Sequence, residues 1–98
     1  MNTSSSLKSL SNYESVSVIL PSYNERENIE EAVDRISNAL GDQLLEIIIV
    51  DDDSPDETWR LVKELNHEKV NLIHRTEEKG LASALATGVE ASKGEIVV

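Results

Sequence analysis

Three consecutive carboxylates, Asp51, Asp52 and Asp53, close an aliphatic run and lead into Ser54-Pro55-Asp56-Glu57. Adjacent carboxylates repel one another and add nothing to packing, so Asp51 and Asp52 in particular point to a ligand. A second group, Pro21-Ser22-Tyr23-Asn24-Glu25, follows an earlier aliphatic run. Together the two segments supply an aromatic face, several carboxylates and a proline-stiffened backbone. That acidic, base-poor set suits a nucleoside: a carboxylate accepts from ring N–H and amino groups, another accepts from ribose hydroxyls, and the tyrosine ring contacts base or sugar. It does not suit a diphosphate, which carboxylates repel. A divalent cation, magnesium or manganese held largely by substrate oxygens, is needed between them. Simpler roles stand beside these. Asp53 and Asp56 fit helix caps and dipole partners, Trp59 fits a core position, and His67 and His74 lack partners at metal-ligand spacing. Arg75 and Lys79 flank a third strand tip, where they meet either a phosphate or water.

The elements that must carry these groups are legible from pattern. Ile47-Ile48-Ile49-Val50 has no polar alternation and reads as a strand buried on both faces of a parallel sheet, with its acidic tip at the carboxyl end, where open α/β sheets bind ligands. Val16 to Pro21 reads as the preceding strand. A helix is expected from Arg26, with Ile29, Ala32, Val33, Ile36 and Leu40 on one face and Gly41 as its left-handed cap. A second helix is expected from Pro55 to about Asn66, with Ser54 as N-cap and Glu57 closing a capping box. A strand follows over Val70–His74, then a helix from Lys79 to Ser92 whose Gly80, Ala84 and Gly88 permit close packing. Glu95 opens a fourth strand. The order β-α-β-α-β-α-β predicts a doubly wound parallel sheet, in which the two chemical tips are neighbours.

The 98 residues suffice for one small domain at most, and a net charge of −10 provides no cationic stripe for a nucleic-acid backbone. With no cysteine, disulfides and thiolate metal sites are excluded. No apolar run approaches the roughly 20 residues that span a bilayer, and the start of the chain lacks a signal-peptide core. Residues 1–14 read as a flexible tail and 15–98 as the domain. Competing motifs fail on particular residues. A dinucleotide site needs glycines where Pro21–Glu25 stand, a Walker loop is absent, and an EF-hand needs a glycine at position 56, which is Asp. A phosphatase-type tip, with Asp51 as nucleophile and Asp53 as acid, stays open as an alternative, as does a βαβ module without enzymatic activity.

Taken in order, Val16-Ser17-Val18-Ile19-Leu20-Pro21-Ser22-Tyr23-Asn24-Glu25-Arg26-Glu27-Asn28-Ile29, Ile49-Val50-Asp51-Asp52-Asp53-Ser54-Pro55-Asp56, and Gly80-Leu81 with Ala84, Gly88, Ala91 and Gly94 resemble the family 2 glycosyltransferases, most closely the dolichyl-phosphate (polyprenyl-phosphate) mannosyltransferases. The resemblance implies an α/β fold, the N-terminal nucleotide-binding half of a GT-A (Rossmann-like) domain. It implies that Pro21, Tyr23, Glu25, Val50 and Asp52 contact the nucleotide of a sugar donor, GDP-mannose in the nearest members. It further implies inverting transfer to a dolichyl or other polyprenyl phosphate in a membrane, at its cytoplasmic face, with Mg2+ or Mn2+ as cofactor. Glu57 and Ala82 depart from glycines common in the family, at positions away from the nucleotide. The family's metal-binding Asp-x-Asp follows the fourth strand, within which this chain stops at Val98. The expectation is therefore a fragment, inactive alone, whose metal ligands and catalytic residues lie elsewhere.

Overall fold

The computed structural model describes residues 15–98, so the tail expected over residues 1–14 lies outside them. Four parallel strands, β1 (Val16–Ser22), β2 (Leu44–Asp51), β3 (Val70–His74) and β4 (Ile96–Val97), lie in the order β3-β2-β1-β4. The helices are α1 (Ile29–Leu40), α2 (Thr58–Leu65) and α3 (Leu81–Ala91), with a short 3-10 turn, Gly41–Gln43, after α1. This is the doubly wound α/β arrangement that the pattern predicts.

Strand β2 explains why its aliphatic run is continuous. Ile47 and Ile49 belong to the larger core, with Val18 of β1, Ile29 and Val33 of α1 and Val62 of α2. Ile48 and Val50 point the other way, into a smaller core with Ala84 of α3. Both faces of the strand are covered from Ile47 to Val50, so that stretch is apolar without alternation. Each such burial contributes about 1.5–3 kcal/mol. On the α3 face, Gly88 lies against β1: a Cβ built there would stand 2.4 Å from Ile19 Cγ2, so the close packing expected of this helix is real.

All three helix starts differ from expectation. Helix α1 begins at Ile29 rather than Arg26, and α2 at Thr58 rather than Pro55. Ser54 caps nothing; its hydroxyl donates to Asp51 Oδ1 at 2.7 Å, and Glu57 takes a left-handed φ of 60° that breaks the expected capping box. Glu57 is the N-cap residue of α2, and Asp56 just before it accepts the Thr58 amide at 3.0 Å. Helix α3 is also shorter at its start, because Gly80 adopts φ 118° and stays outside it. Gly41 ends α1 with a positive φ of 52°, but its ψ of −126° is not that of the left-handed cap expected there. Among the described residues no helix is long and apolar enough to cross a membrane.

Candidate functional site

Parallel register brings the strand tips level: Ser22 lies beside Asp51, and Asp51 beside His74. Successive side chains of β2 then leave on opposite faces. Asp51 turns toward α1 and α2 and is fully buried. It accepts the Ser22 hydroxyl at 2.7 Å, the Ser54 hydroxyl at 2.7 Å and the Ser54 amide at 3.0 Å. Asp51 is thus a fastening between two tips, contrary to the ligand role its position in the acidic run suggests. Three successive amides of the first loop are bound in the same way by the second. Asn24 donates to Ser54 Oγ at 2.9 Å, Glu25 to Thr58 Oγ1 at 3.1 Å and Arg26 to Asp56 Oδ2 at 3.1 Å. These bonds displace the helix starts, since the amides and side chains expected to begin α1 and α2 serve the loop–loop contact.

On the opposite face the tips enclose a cavity of about 450 Å3. Pro21, Tyr23, Glu25, Val50 and Asp52, the five residues expected to meet a nucleotide, all line it. The first turn of α3 and the segment before it, Lys79 to Leu81 with Ala84, form the remaining wall. Pro21, Val50, Leu81 and Ala84 make apolar sides. Tyr23 and Leu81 are 50% and 68% exposed, leaving apolar surface available to a ligand. A separate hollow between Arg26, Asn28 and Asp56 has only loop side chains around it, and Arg26 and Asp56 are already bonded to each other there.

Asp52 is the buried charge of the cavity. Its Oδ1 accepts Arg75 Nε at 2.7 Å, and its Oδ2 accepts Arg75 Nη2 and the Gly80 amide, both at 3.0 Å. The Arg75 bonds hold the carboxyl below the usual aspartate range against the opposing effect of burial, and the Gly80 amide adds to them. Asp52 is therefore held as a carboxylate. Arg75 is not solvated, one of the two roles open to it from sequence. It is buried, and its partner is 23 residues away, which no local motif reveals.

The neighbouring pair has a different fate. Asp53 Oδ1 lies 2.7 Å from His74 Nε2, and Trp59 stacks on that imidazole at 4.5 Å between ring centroids. Asp53 is accordingly no helix cap, and Trp59 belongs to this surface stack rather than to either core cluster. With Asp51 buried and engaged at both oxygens, it cannot serve as the nucleophile of a phosphatase. Among the described residues no group of three His, Cys, Asp or Glu side chains could hold a metal ion. Those residues do not fit a divalent-cation site, and no metal ligand is assigned among them.

The same arrangement occurs in known proteins. The family model for Glycosyl transferase family 2 matches residues 17–98. Dolichol-phosphate mannosyltransferase of Pyrococcus furiosus is 52% identical over 84 residues, which cover 85% of this chain and 24% of that protein. Mannosyltransferase PcManGT from Pyrobaculum calidifontis, solved with GDP-Man and Mn2+, matches with a TM-score of 0.74 and 38% identity over 86% of this chain and 26% of that one. Glucosyl-3-phosphoglycerate synthase from Mycobacterium tuberculosis, solved with Mn2+, UDP and glucosyl-3-phosphoglycerate, gives a TM-score of 0.74 and 26% identity, over 93% and 34% of the two chains. The chain thus spans between about a quarter and a third of the length of these relatives. The parallel sheet with helices on both faces is the GT-A arrangement of the two solved enzymes. Because the family pattern runs through nearly all the described residues, and through both strand tips that enclose the cavity, the chain belongs to glycosyl transferase family 2.

Proposed function

We propose that the protein carrying this chain transfers mannose from GDP-mannose to a polyprenyl phosphate such as dolichyl phosphate, with inversion at the sugar carbon. Residues 15–98 are then its nucleotide-binding part. The observation that carries this reading is the convergence of Pro21, Tyr23, Glu25, Val50 and Asp52 on one cavity, with Asp52 its buried carboxylate. In this reading Asp52 accepts an N–H of the base, Glu25 accepts from the ribose, and Tyr23, Pro21 and Val50 supply the apolar contacts. The names of the relatives support mannose and a lipid phosphate. A complex with GDP-Man supports the donor.

The chemistry agrees with so acidic a site. A phosphate monoester has a second pKa of about 6, so a lipid phosphate is an ionised nucleophile at neutral pH and needs no general base. In-line attack by its oxygen displaces the nucleoside diphosphate and inverts the carbon. A divalent cation, Mn2+ in the two solved relatives, offsets charge on a departing diphosphate when bound, and its ligands in the full-length enzyme lie outside the described residues. A lipid acceptor puts the reaction at a membrane surface, which we take to be the cytoplasmic face.

The test is transfer by the full-length protein from labelled GDP-mannose to dolichyl phosphate in detergent with Mn2+ or Mg2+. The expected product is lipid-linked mannose of inverted anomeric configuration. Donor binding without transfer would support a binding module instead. Absence of both donor binding and sugar transfer would overturn the proposal.

A further inference from the structure

We propose that Arg75 is a positioning residue of the nucleoside subsite, a buried cation that fixes Asp52 against the start of α3 and leaves that carboxylate one acceptor position for the base. The inference rests on the nucleotide reading above and goes beyond the five residues it names.

The hydrogen-bond inventory carries it. An ionised carboxylate offers about four acceptor positions. Arg75 Nε takes one on Oδ1, while Arg75 Nη2 and the Gly80 amide take two on Oδ2. One position remains, on Oδ1. The guanidinium is itself nearly saturated, for Nη2 also donates to the Gly80 carbonyl at 3.2 Å and Nη1 to Thr87 Oγ1 at 3.3 Å. Its own amide donates to the Asp51 carbonyl at 2.8 Å. One side chain therefore joins the tips of β2 and β3 to α3, and α3 is a wall of the cavity. Only a planar fork makes these bonds together; a lysine ammonium in its place supplies charge without the two parallel bonds.

The charged groups around Asp52 can be named. Arg75 faces it from the end of β3 and Lys79 from the segment before α3, while Glu78 faces Arg75. Glu25 lines the same cavity from the first loop. Asp51 is sequestered by Ser22 and Ser54, and Asp53 is paired with His74. With Arg75 removed, Lys79 is the one cation still set against the burial of Asp52 among the named groups, so protonation of Asp52 moves toward neutral pH.

The experiment titrates GDP, with Mn2+ present, into full-length protein and its variants Arg75→Met, Arg75→Lys, Asp52→Asn and the Arg75→Met/Asp52→Asn double variant, between about pH 5 and pH 8. Dividing each profile by that of the wild type removes the titration of the ligand's own phosphate. Arg75→Met is expected to lose about tenfold or more in affinity, with the loss deepening as pH falls. Arg75→Lys is expected to lose less and to recover a flat relative profile. The double variant is expected to be no worse than Asp52→Asn. If Arg75→Met does not fold by circular dichroism, the Arg75→Lys and Asp52→Asn arms decide, a Lys variant of wild-type affinity overturning the proposal. So does an additive double variant, which would mean that Arg75 acts on the ligand independently of Asp52. Loss in Asp52→Asn with none in either Arg75 variant sinks this inference alone, and no loss in any variant sinks the nucleotide reading beneath it.

Discussion

Asp51 and Asp52 are neighbours with opposite employment, and strand alternation is the reason. The side chain of Asp51 goes to the α1 and α2 face and is spent on Ser22 and Ser54, while that of Asp52 goes to the α3 face and reaches the cavity. The period-two rule, applied past Val50, separates them from sequence alone. What it cannot supply is Arg75, because the pairing depends on how α3 returns over the sheet. Glu46 is a third buried carboxylate, toward the other end of β2. It accepts the Ser17 hydroxyl and the Lys93 amide at 2.7 Å on Oε2 and the Asn71 side-chain amide at 3.0 Å on Oε1. Burial raises its pKa, but the bonds from Ser17, Lys93 and Asn71 together outweigh that and leave it lowered. The stability it contributes is therefore fully present above the unfolded glutamate value of about 4.3 and is lost as pH falls through the lower folded value. Glu46→Gln should cost about 1–3 kcal/mol near neutral pH, because an amide NH2 then faces other donors. Urea unfolding at several pH values should show a shallower acid limb for the variant; equal limbs would mean that the carboxylate is solvated.

At the scale of elements, the strands and the α1 and α3 faces follow from periodicity, whereas helix starts do not. Ser54-Pro55-Asp56-Glu57 has the residues of a capping box, yet Ser54 and Asp56 bind amides of the loop after β1, a tertiary demand that local pattern does not contain. The same tertiary logic makes two glycines unequal. A Cβ at Gly88 would meet Ile19, whose side chain can shift a little. At Gly94 it would stand 2.7 Å from the Ser17 amide nitrogen and 3.0 Å from the Ser15 carbonyl, backbone that cannot move without opening the β1–β4 pairing. Gly88→Ala should cost about 1–3 kcal/mol as overpacking, and Gly94→Ala should cost more than Gly88→Ala. Comparing denaturant midpoints of the two variants checks this, and the reverse order would show that β4 is only loosely attached.

At the scale of the whole molecule, the order β3-β2-β1-β4 leaves β4 as an edge, with Ile96, Val97 and Val98 exposed. Unpaired strand edges with apolar side chains associate, so the 98-residue polypeptide alone should sediment with a concentration-dependent mass, and Val97→Lys should reduce that dependence. A monomer at all concentrations would show that the edge is protected. The parallel sheet and the adjacency of its first two strand tips were legible in the chain because buried parallel strands have so few solutions. The division of labour among the acidic residues was only partly legible, since it depends on contacts far apart in sequence. The central claim is that this cavity receives the nucleoside of a sugar donor through Asp52. Its most direct test is calorimetric titration of the full-length protein with GDP and Mn2+, comparing Asp52→Asn with Asp53→Asn. Asp52→Asn should weaken binding by about 1–3 kcal/mol, roughly ten- to a hundredfold, while Asp53→Asn, whose side chain pairs with His74 away from the cavity, should bind as the wild type does. Equal and negligible effects of both substitutions, with the fold intact, would contradict the assignment of the cavity.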